Sequence, residues 1–155
     1  MTEDRLNVAE TVYRYAYGVD TRDFALYRSI FADRVAVDFT SFQGGDAMVV
    51  DADQWVAGVR AVFSRLEATH HMMTNPLASI DGDTATCRMY VQAHHVRDAD
   101  DPASWYTIGG YYDDTLVRSA EGPAGWLLTG VTLTVLWRRG DPGIMSAAAA
   151  DAERA

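Results

Sequence analysis

Histidine is the side chain that exchanges a proton most readily near neutral pH, and this sequence holds its four histidines in two adjacent pairs, His70-His71 and His94-His95. An aspartate that accepts a hydrogen bond from one ring nitrogen fixes the tautomer of a histidine and stabilises its protonated form. Asp20 is the carboxylate that we expect in this role, because a carboxylate at an interior position needs a hydrogen-bonding partner. The residues therefore predict an Asp-His pair that acts as a general base.

Asp20 continues the apolar face of a predicted first helix. The apolar residues that share this face recur at alternating steps of three and four, and they are Leu6, Ala9, Tyr13 and Ala16. The next step of four lands on Asp20, so a carboxylate occupies a position that the pattern assigns to the interior. An alternative is that Asp20 lies beyond the helix end and caps the following helix, a role for which Asp23 competes.

Parity along two predicted strands indicates which histidines can reach the interior. Adjacent strand residues face opposite sides, so at most one histidine of each pair points inwards. His95 shares its side with the apolar residues of its strand, which are Met89, Val91 and Ala93. Composition leaves the first pair open, and Asn75 and Leu77 favour His71. We therefore predict His71 and His95 inside and their neighbours outside; the alternative for each is a structural hydrogen bond or a surface position.

The elements that must position these residues follow from the spacing of apolar side chains. A short second helix is predicted at about 23–31, a strand at about 35–39, and a further helix after Asp51 or Asp53. The period then changes to two, which predicts strands at about 69–80, 84–96, 105–118 and 125–138. Three helices interleaved with one strand and followed by four strands predict an α+β domain. Its helices cover one face of a curved antiparallel sheet that wraps around a pocket.

The run Tyr111-Tyr112-Asp113-Asp114 supplies one inward and one outward pair of a tyrosine and an aspartate. We expect Tyr111 and Asp113 to face inwards and Asp114 to be an ordinary solvated carboxylate. The two glycines before this run either let a ligand or a neighbouring strand come close or mark a β-bulge.

Charge and composition exclude several classes of function. The chain has 13 Lys and Arg residues against 22 Asp and Glu residues, a formal net charge of −9. Because the basic residues form no cluster, we expect neither nucleic acid nor a membrane surface as a partner. No phosphate loop, cysteine cluster or nucleotide fingerprint appears, so we expect no cofactor. We also expect no metal, although two inward histidines and Asp20 could form a two-His-one-carboxylate site.

The 155 residues predict a single domain at 1–138 followed by a frayed or helical tail at 139–155. Cys87 is the single cysteine, and no leader-like segment opens the sequence, so we expect a cytoplasmic protein. The expected partner is a small-molecule substrate. A sheet face left exposed by so small a domain tends to be covered by a second copy, and we expect a homodimer or a trimer.

Several segments of the chain resemble a known family. They are YAYGVDTRDFALYRSIFADRVAVDF at 15–39, THHMMTNP at 69–76, IDGDTA at 80–85 and GGYYDDTLVR at 109–118. Their order and spacing are similar to the SnoaL-like branch of the nuclear-transport-factor-2-like superfamily, up to about Arg138. The resemblance implies a cone-shaped α+β barrel with a deep pocket. In mechanism it points to scytalone dehydratase and related dehydratases that use an Asp-His pair.

The resemblance also implies site residues. Asp20 corresponds to the aspartate of the pair, His71 to its histidine and His95 to a second pocket histidine. The residues expected to contact a substrate are Tyr15, Val19, Phe39, Trp55, Phe63, Asn75, Val91, Asp113, Val131 and Leu133.

Four of these positions depart from the pattern of the related enzymes. Val19 and Phe39 stand where scytalone dehydratase has tyrosines that hold the reactive water, and Asp113 stands where it has an asparagine. Val131 lies near the position of an arginine that the related dehydrochlorinase uses. We therefore do not expect scytalone or a chlorinated alkane as the substrate.

Together these features predict a cofactor-independent dehydratase. His71 would take a proton from the carbon next to a carbonyl of an apolar, cyclic polyketide, steroid or aromatic-pathway compound. His95 and Tyr111, with Asp113 or Asn75, would stabilise the charge that develops on oxygen. Without a β-hydroxyl leaving group, the same residues would isomerise a ketone or close a polyketide ring. A non-catalytic small-molecule-binding domain and a structural dimerisation domain are the remaining alternatives.

Overall fold

The computed structural model describes residues 2–155, which form five helices and six strands. In chain order they are α1 (Thr2–Asp20), α2 (Phe24–Ser29), β1 (Phe31–Asp38), α3 (Thr40–Gln43), β2 (Met48–Asp51), α4 (Ala52–Phe63), β3 (Ala68–Asp81), β4 (Thr84–Val96), β5 (Trp105–Arg118), β6 (Trp126–Gly140) and α5 (Gly143–Glu153). None of the helices within residues 2–155 is long and apolar enough to cross a membrane.

The six strands form one sheet with the order β2-β1-β6-β5-β4-β3. All neighbouring strands are antiparallel except β1 and β6, which run parallel. The α+β class and the four long strands are confirmed, with bounds that differ from the predicted ones by two residues at most. The four-residue elements β2 and α3 are absent from the prediction, because so short a segment has no measurable period.

Helix α1 packs on the sheet with a different face from the predicted one. Of the predicted stripe, Ala9 and Ala16 are buried, whereas Leu6 and Tyr13 are 65% and 39% exposed, so the stripe is wrong for these two residues. The residues that α1 buries are Val8, Ala9, Thr11, Val12, Tyr15, Ala16, Gly18 and Val19. The helix carries apolar residues on more than one face, and the sheet accepts the face that is rich in valine.

The capping residues show where the first helices end and begin. Asp20 is the last residue of α1, and Asp23 is the N-cap of α2, where its carboxylate accepts a hydrogen bond from the backbone N–H of Leu26 at 2.9 Å. Asp51 caps α4 in the same way. Because Asp23 takes the capping role, the carboxylate of Asp20 is free for another partner.

The C-terminal segment is a packed helix. Helix α5 buries Ile144 and Ala148, contacts α4 and β5, and follows a turn at Asp141-Pro142. Helices α1 and α2 pack against the sheet through a cluster of aromatic rings. The rings of Tyr15 and Tyr27 have centroids 5.0 Å apart, and those of Tyr15 and Tyr112 are 5.4 Å apart.

Strand β5 approaches β6 closely at the two adjacent glycines. The strand register shifts between Gly109 and Gly110, so that Leu136 of β6 is an extra residue. A Cβ atom on Gly110 would lie 1.9 Å from the backbone oxygen of Thr134. The glycine pair therefore marks a bulge at which a neighbouring strand comes close, as one of the sequence-based alternatives proposed.

Candidate functional site

The carboxylate of Asp20 and the ring of His71 are in direct contact. Nδ1 of His71 lies 2.7 Å from Oδ1 of Asp20. An ionised carboxylate only accepts hydrogen bonds, so Nδ1 carries the proton of the neutral ring and Nε2 has a free lone pair. The side chain of His71 is 5% exposed and lines the main cavity. This arrangement holds one tautomer of a histidine in place beside a pocket.

The start of β3 supplies two more hydrogen bonds to Asp20. The backbone N–H of His71 donates to Oδ2 at 2.6 Å, and the hydroxyl of Thr69 donates to Oδ1 at 2.9 Å. Burial alone would raise the pKa of Asp20. His71 opposes this effect through its two hydrogen bonds and its charge, and Thr69 opposes it through the hydrogen bond of its hydroxyl. Together they hold the pKa of Asp20 below its usual value. Asp20 therefore stays ionised at neutral pH.

His95 lies in the same cavity and has a different electrostatic character. Its ring is 5.7 Å from that of His71, at 84° to it. Burial, and then the charge of His71, lower the pKa of His95 to about 4. Its Nδ1 lies 3.1 Å from the carbonyl oxygen of Tyr106, which can only accept, so Nδ1 carries the proton. The Nε2 atom of neutral His95 is consequently an acceptor and cannot stabilise a negatively charged oxygen.

The cavity has a volume of about 400 Å³ and a largely apolar lining. The predicted substrate-contacting residues that line it are Tyr15, Val19, Phe39, Trp55, Phe63 and Leu133. Phe63 stacks on His71, with ring centroids 6.1 Å apart at 27°. Gln43 and Gln54 are also in the wall, as is Met145 of α5. A mostly apolar pocket with few polar groups is typical of a small-molecule site.

Two residues of β5 that were expected inside lie on the outer face of the sheet. Asp113 forms a two-point ion pair with Arg88, with distances of 2.6 and 2.8 Å, and the guanidinium of Arg88 lies 4.6 Å from the ring centroid of Tyr111. The expectation for Tyr111 and Asp113 is therefore wrong, and so is that of a solvated Asp114, which is buried. Tyr112, on the other side of the strand from Tyr111, lies in the cavity wall. Tyr112 shares its side of the strand with the apolar residues Ile108 and Leu116, and this sequence signal could have identified it as inward-facing.

Three further expected contacts are also absent from the cavity wall. Asn75 is exposed, with a φ of 58°, at a register shift in β3. Val91 and Val131 are buried in the core, where they pack against other apolar side chains. His70 is exposed, and Nδ1 of His94 contacts the hydroxyl of Thr107 at 2.7 Å.

Three buried tyrosines lie close together: Tyr15 of α1, Tyr27 of α2 and Tyr112 of β5. Burial raises the pKa of Tyr15 to about 12, and burial also raises the pKa values of Tyr27 and Tyr112 well above the usual range. Nε1 of Trp55 donates to the hydroxyl of Tyr27 at 3.1 Å. Tyr15 and Tyr112 line the cavity, so their phenols are neutral groups that can donate hydrogen bonds to a ligand.

Within residues 2–155, no group of three or more His, Cys, Asp or Glu side chains has the arrangement of a metal site. Both carboxylate oxygens of Asp20 are engaged by β3.

Comparison with known proteins adds the family. The sequence model of the SnoaL-like domain matches residues 1–132. The chain belongs to the SnoaL-like family. This SnoaL-like protein is 33% identical to the Kfla4162 protein of Kribbella flavida, whose crystal structure has a TM-score of 0.85 and is matched over 92% of this chain and 97% of that chain.

Two more distant structures share the fold. A candidate dehydratase of the NTF2-like family from Streptomyces avermitilis has a TM-score of 0.73 at 14% identity, over 88% of this chain and 99% of that chain. Hexachlorocyclohexane dehydrochlorinase LinA-type3 of Novosphingobium barchaimii has a TM-score of 0.71 at 14% identity, over 90% and 91%. The curved NTF2-like architecture that the sequence resemblance implied is thereby confirmed.

Proposed function

We propose that this SnoaL-like protein is a cofactor-independent dehydratase for an apolar, cyclic carbonyl compound, with Asp20 and His71 as its general base. The observation that carries the proposal is the 2.7 Å contact between Nδ1 of His71 and Oδ1 of Asp20 at the wall of an apolar cavity. The contact keeps the proton on Nδ1, and Nε2 is then the basic atom. Ionised Asp20 stabilises the imidazolium that forms when Nε2 takes a proton.

The reaction transfers one proton twice. Nε2 of His71 takes a proton from the carbon next to the carbonyl, and the electrons of that C–H bond form an enolate. The enolate then forms a carbon–carbon double bond as the β-hydroxyl leaves. The imidazolium returns its proton to the departing oxygen, so the products are an unsaturated carbonyl compound and water. General-base assistance of this kind contributes roughly 10²–10⁴ in rate.

Tyr112 and Tyr15 are the groups that we assign to the enolate oxygen. Both line the cavity, and both phenols stay protonated because burial raises their pKa values. Neutral donors fixed before the reaction stabilise a developing oxyanion. His95 takes a different role from the expected one, because its free Nε2 accepts: it would receive the hydrogen bond of the substrate hydroxyl and orient the leaving group.

The substrate class follows from the cavity. A volume of about 400 Å³ with a largely apolar lining favours a compact ring system with few polar groups, such as a polyketide, steroid or aromatic-pathway ketone. The names of two structural neighbours, a candidate dehydratase and a dehydrochlorinase, both denote eliminations and support an elimination as the reaction. A ketone without a β-hydroxyl would be isomerised or cyclised by the same residues.

The test is a set of cyclic β-hydroxyketones, with the unsaturated ketone measured by its ultraviolet absorbance. We expect Asp20→Asn and His71→Ala to lower the rate by about 10²-fold or more. His70→Ala removes the adjacent, outward histidine of the same strand and is the matched control, with an unchanged rate expected.

A second measurement separates catalysis from binding. A ketone without the leaving group is incubated in deuterated water, and exchange of its α-proton is followed by NMR. A catalytic pair exchanges this proton in the wild type and in His70→Ala, but not in His71→Ala. Tight binding of these ketones with no exchange and no elimination in the wild type would identify a non-catalytic binding domain.

The outer sheet face leads us to propose a homodimer as well. This face carries the exposed side chains of Met72, Tyr90 and Trp137. Tyr90→Asp places a charge there and should convert the dimer to a monomer in light scattering. Leu6→Asp, at an equally exposed site on α1, is the control and should leave the mass unchanged. A wild-type mass of one chain or of three chains would contradict the proposal.

A further inference from the structure

Arg22 occupies a backbone conformation that an arginine rarely adopts. Its φ is 61°, in the left-handed region, two residues after α1 ends at Asp20. Glycine is the usual residue at such a helix end, because a Cβ atom is strained there. Among residues 2–155, the only other non-glycine with a positive φ is Asn75, and asparagine tolerates this region better. We therefore expect the contacts of the Arg22 side chain to compensate for the backbone strain at this turn.

The guanidinium of Arg22 joins the end of α1 to the start of β3. Nη1 donates to the carbonyl oxygen of Val19 at 2.7 Å and to the hydroxyl of Thr69 at 2.7 Å. Nη2 donates to the carbonyl oxygen of Leu66 at 3.2 Å. One side chain thus satisfies a carbonyl at the helix end and another just before the strand, and it holds a threonine hydroxyl between them.

The arginine determines how the hydroxyl of Thr69 is used. A guanidinium has only donors, so the oxygen of Thr69 must accept from Arg22. The single hydroxyl proton is then available for Oδ1 of Asp20, which lies 2.9 Å away. Thr69 stands between the arginine and the carboxylate, and the positive charge supports Asp20 while Oδ1 keeps its contact with His71.

A second contact of Arg22 leads to the ring of His71. The guanidinium carbon lies 5.9 Å from the ring centroid of Phe63, which suits a cation–π interaction. Phe63 in turn stacks on His71 at 6.1 Å. Arg22 therefore touches a neighbour of each member of the Asp20-His71 pair, and none of its contacts places it in the cavity wall.

We propose that Arg22 is a positioning residue, which orients Asp20 through the hydroxyl of Thr69 and supports the ring of His71 through Phe63. The catalytic consequence rests on the proposed function, whereas the structural consequence does not. Strain at Arg22 is tolerated because the side chain it positions is needed by the site, a pattern common to functional turns.

The test compares five variants with the wild type by NMR, with no substrate present. Arg22→Met keeps the apolar stem and the Cβ atom but loses every donor, and Thr69→Val keeps the shape but loses the hydroxyl. Two signals are followed: the downfield proton on Nδ1 of His71, and the pH titration of the Asp20 carboxyl carbon. We expect both variants to weaken or lose the downfield signal and to move the pKa of Asp20 upwards. Thr69→Val removes a donor to Oδ1 of Asp20, and Arg22→Met removes the group that orients this donor.

Conservative variants supply the rescue. Thr69→Ser retains a hydroxyl and should behave as the wild type, and Arg22→Lys retains the charge with one donor group and should fall between the wild type and Arg22→Met. Thr21→Val is the matched control, because its hydroxyl donates at 2.7 Å to the carbonyl oxygen of Tyr17 on the exposed side of the same turn. Both signals should be unchanged in it.

The possible outcomes separate the two proposals. If folded Arg22→Met and Thr69→Val give the same signals as the wild type, the positioning role is refuted. If Arg22→Met fails to fold, the pair Thr69→Val and Thr69→Ser decides the question. If the signals change as expected but no ketone exchanges its α-proton, the positioning role stands and the proposed function fails. With an active substrate, Arg22→Met should lower kcat more than it changes KM.

Discussion

The carboxyl group of Asp114 is unfavourably placed in the folded protein, and its removal should stabilise the protein above pH 3.8. Asp114 is 3% exposed on the inner face of β5, opposite Cys87 of β4. Within residues 2–155, its Oδ1 atom is buried without a hydrogen-bond partner. Burial, and then the charge of Asp113, raise the pKa of Asp114 well above its usual value of 3.8. The folded chain therefore retains this proton to a higher pH than the unfolded chain does.

The sign and the size of the effect follow from proton linkage. Above pH 3.8 the unfolded chain loses this proton while the folded chain retains it, so folding stability falls as the pH rises. The slope is about 1.4 kcal/mol per pH unit until the folded-state pKa is reached.

The assay is urea unfolding of the wild type and of Asp114→Asn at several pH values between 4 and 8. The asparagine has nearly the same shape and cannot ionise, so the difference in unfolding free energy should shift in favour of the variant as the pH rises. The expected shift is about 1.4 kcal/mol per pH unit. Asp46→Asn, at an exposed loop position, is the control for loss of one carboxylate. A difference between the wild type and Asp114→Asn that is constant with pH would refute the reasoning.

Three further predictions concern the cavity and the sheet. The folded-state pKa of His95 is about 4, so its protonation should cost the wild type about 3 kcal/mol of stability relative to His95→Gln between pH 6.5 and pH 4. Urea unfolding of the two proteins measures this difference, in which the opposite contribution of Asp114 cancels. Gly110→Ala should cost about 1–3 kcal/mol of stability in thermal or urea unfolding, because its Cβ atom would meet the oxygen of Thr134 at 1.9 Å. Tyr112→Phe should lower turnover of a β-hydroxyketone by about 10-fold or more, whereas the outward control Tyr111→Phe should not; equal effects would contradict the assignment.

Much of the sheet could be predicted from the sequence, because long half-buried strands repeat with a period of two. The predicted range 105–118 coincides with β5, and the range 84–96 coincides with β4. The same patterning did not orient the run Tyr111-Tyr112-Asp113-Asp114. Its two possible alternations have the same composition within the run, and only the parity of Tyr112 with Ile108 and Leu116, outside the run, distinguishes them. The buried Asp114 was unexpected because a carboxylate without a partner contradicts the usual preference for solvent.

The placement of Asp20 beside His71 is only partly a success of the pattern. Two residues of the predicted stripe, Leu6 and Tyr13, are exposed, whereas Ala9 and Ala16 are buried. Asp20 reaches β3 because it is the last residue of α1, next to buried Val19. Arg22 could not be identified from the sequence, since a positive φ at an arginine follows no local rule and two of its three hydrogen-bond partners, Leu66 and Thr69, are more than forty positions away.

Helix α5 contributes to the cavity wall although it lies outside the segment that matches the family. The SnoaL-like match ends at residue 132, yet Met145 of α5 forms part of the cavity wall. A helix that packs through Ile144 and Ala148 could be exchanged without altering Asp20 or His71. Engineering a new ligand preference should therefore begin with this last segment, and relatives that share the proposed Asp20-His71 base need not accept the same molecules.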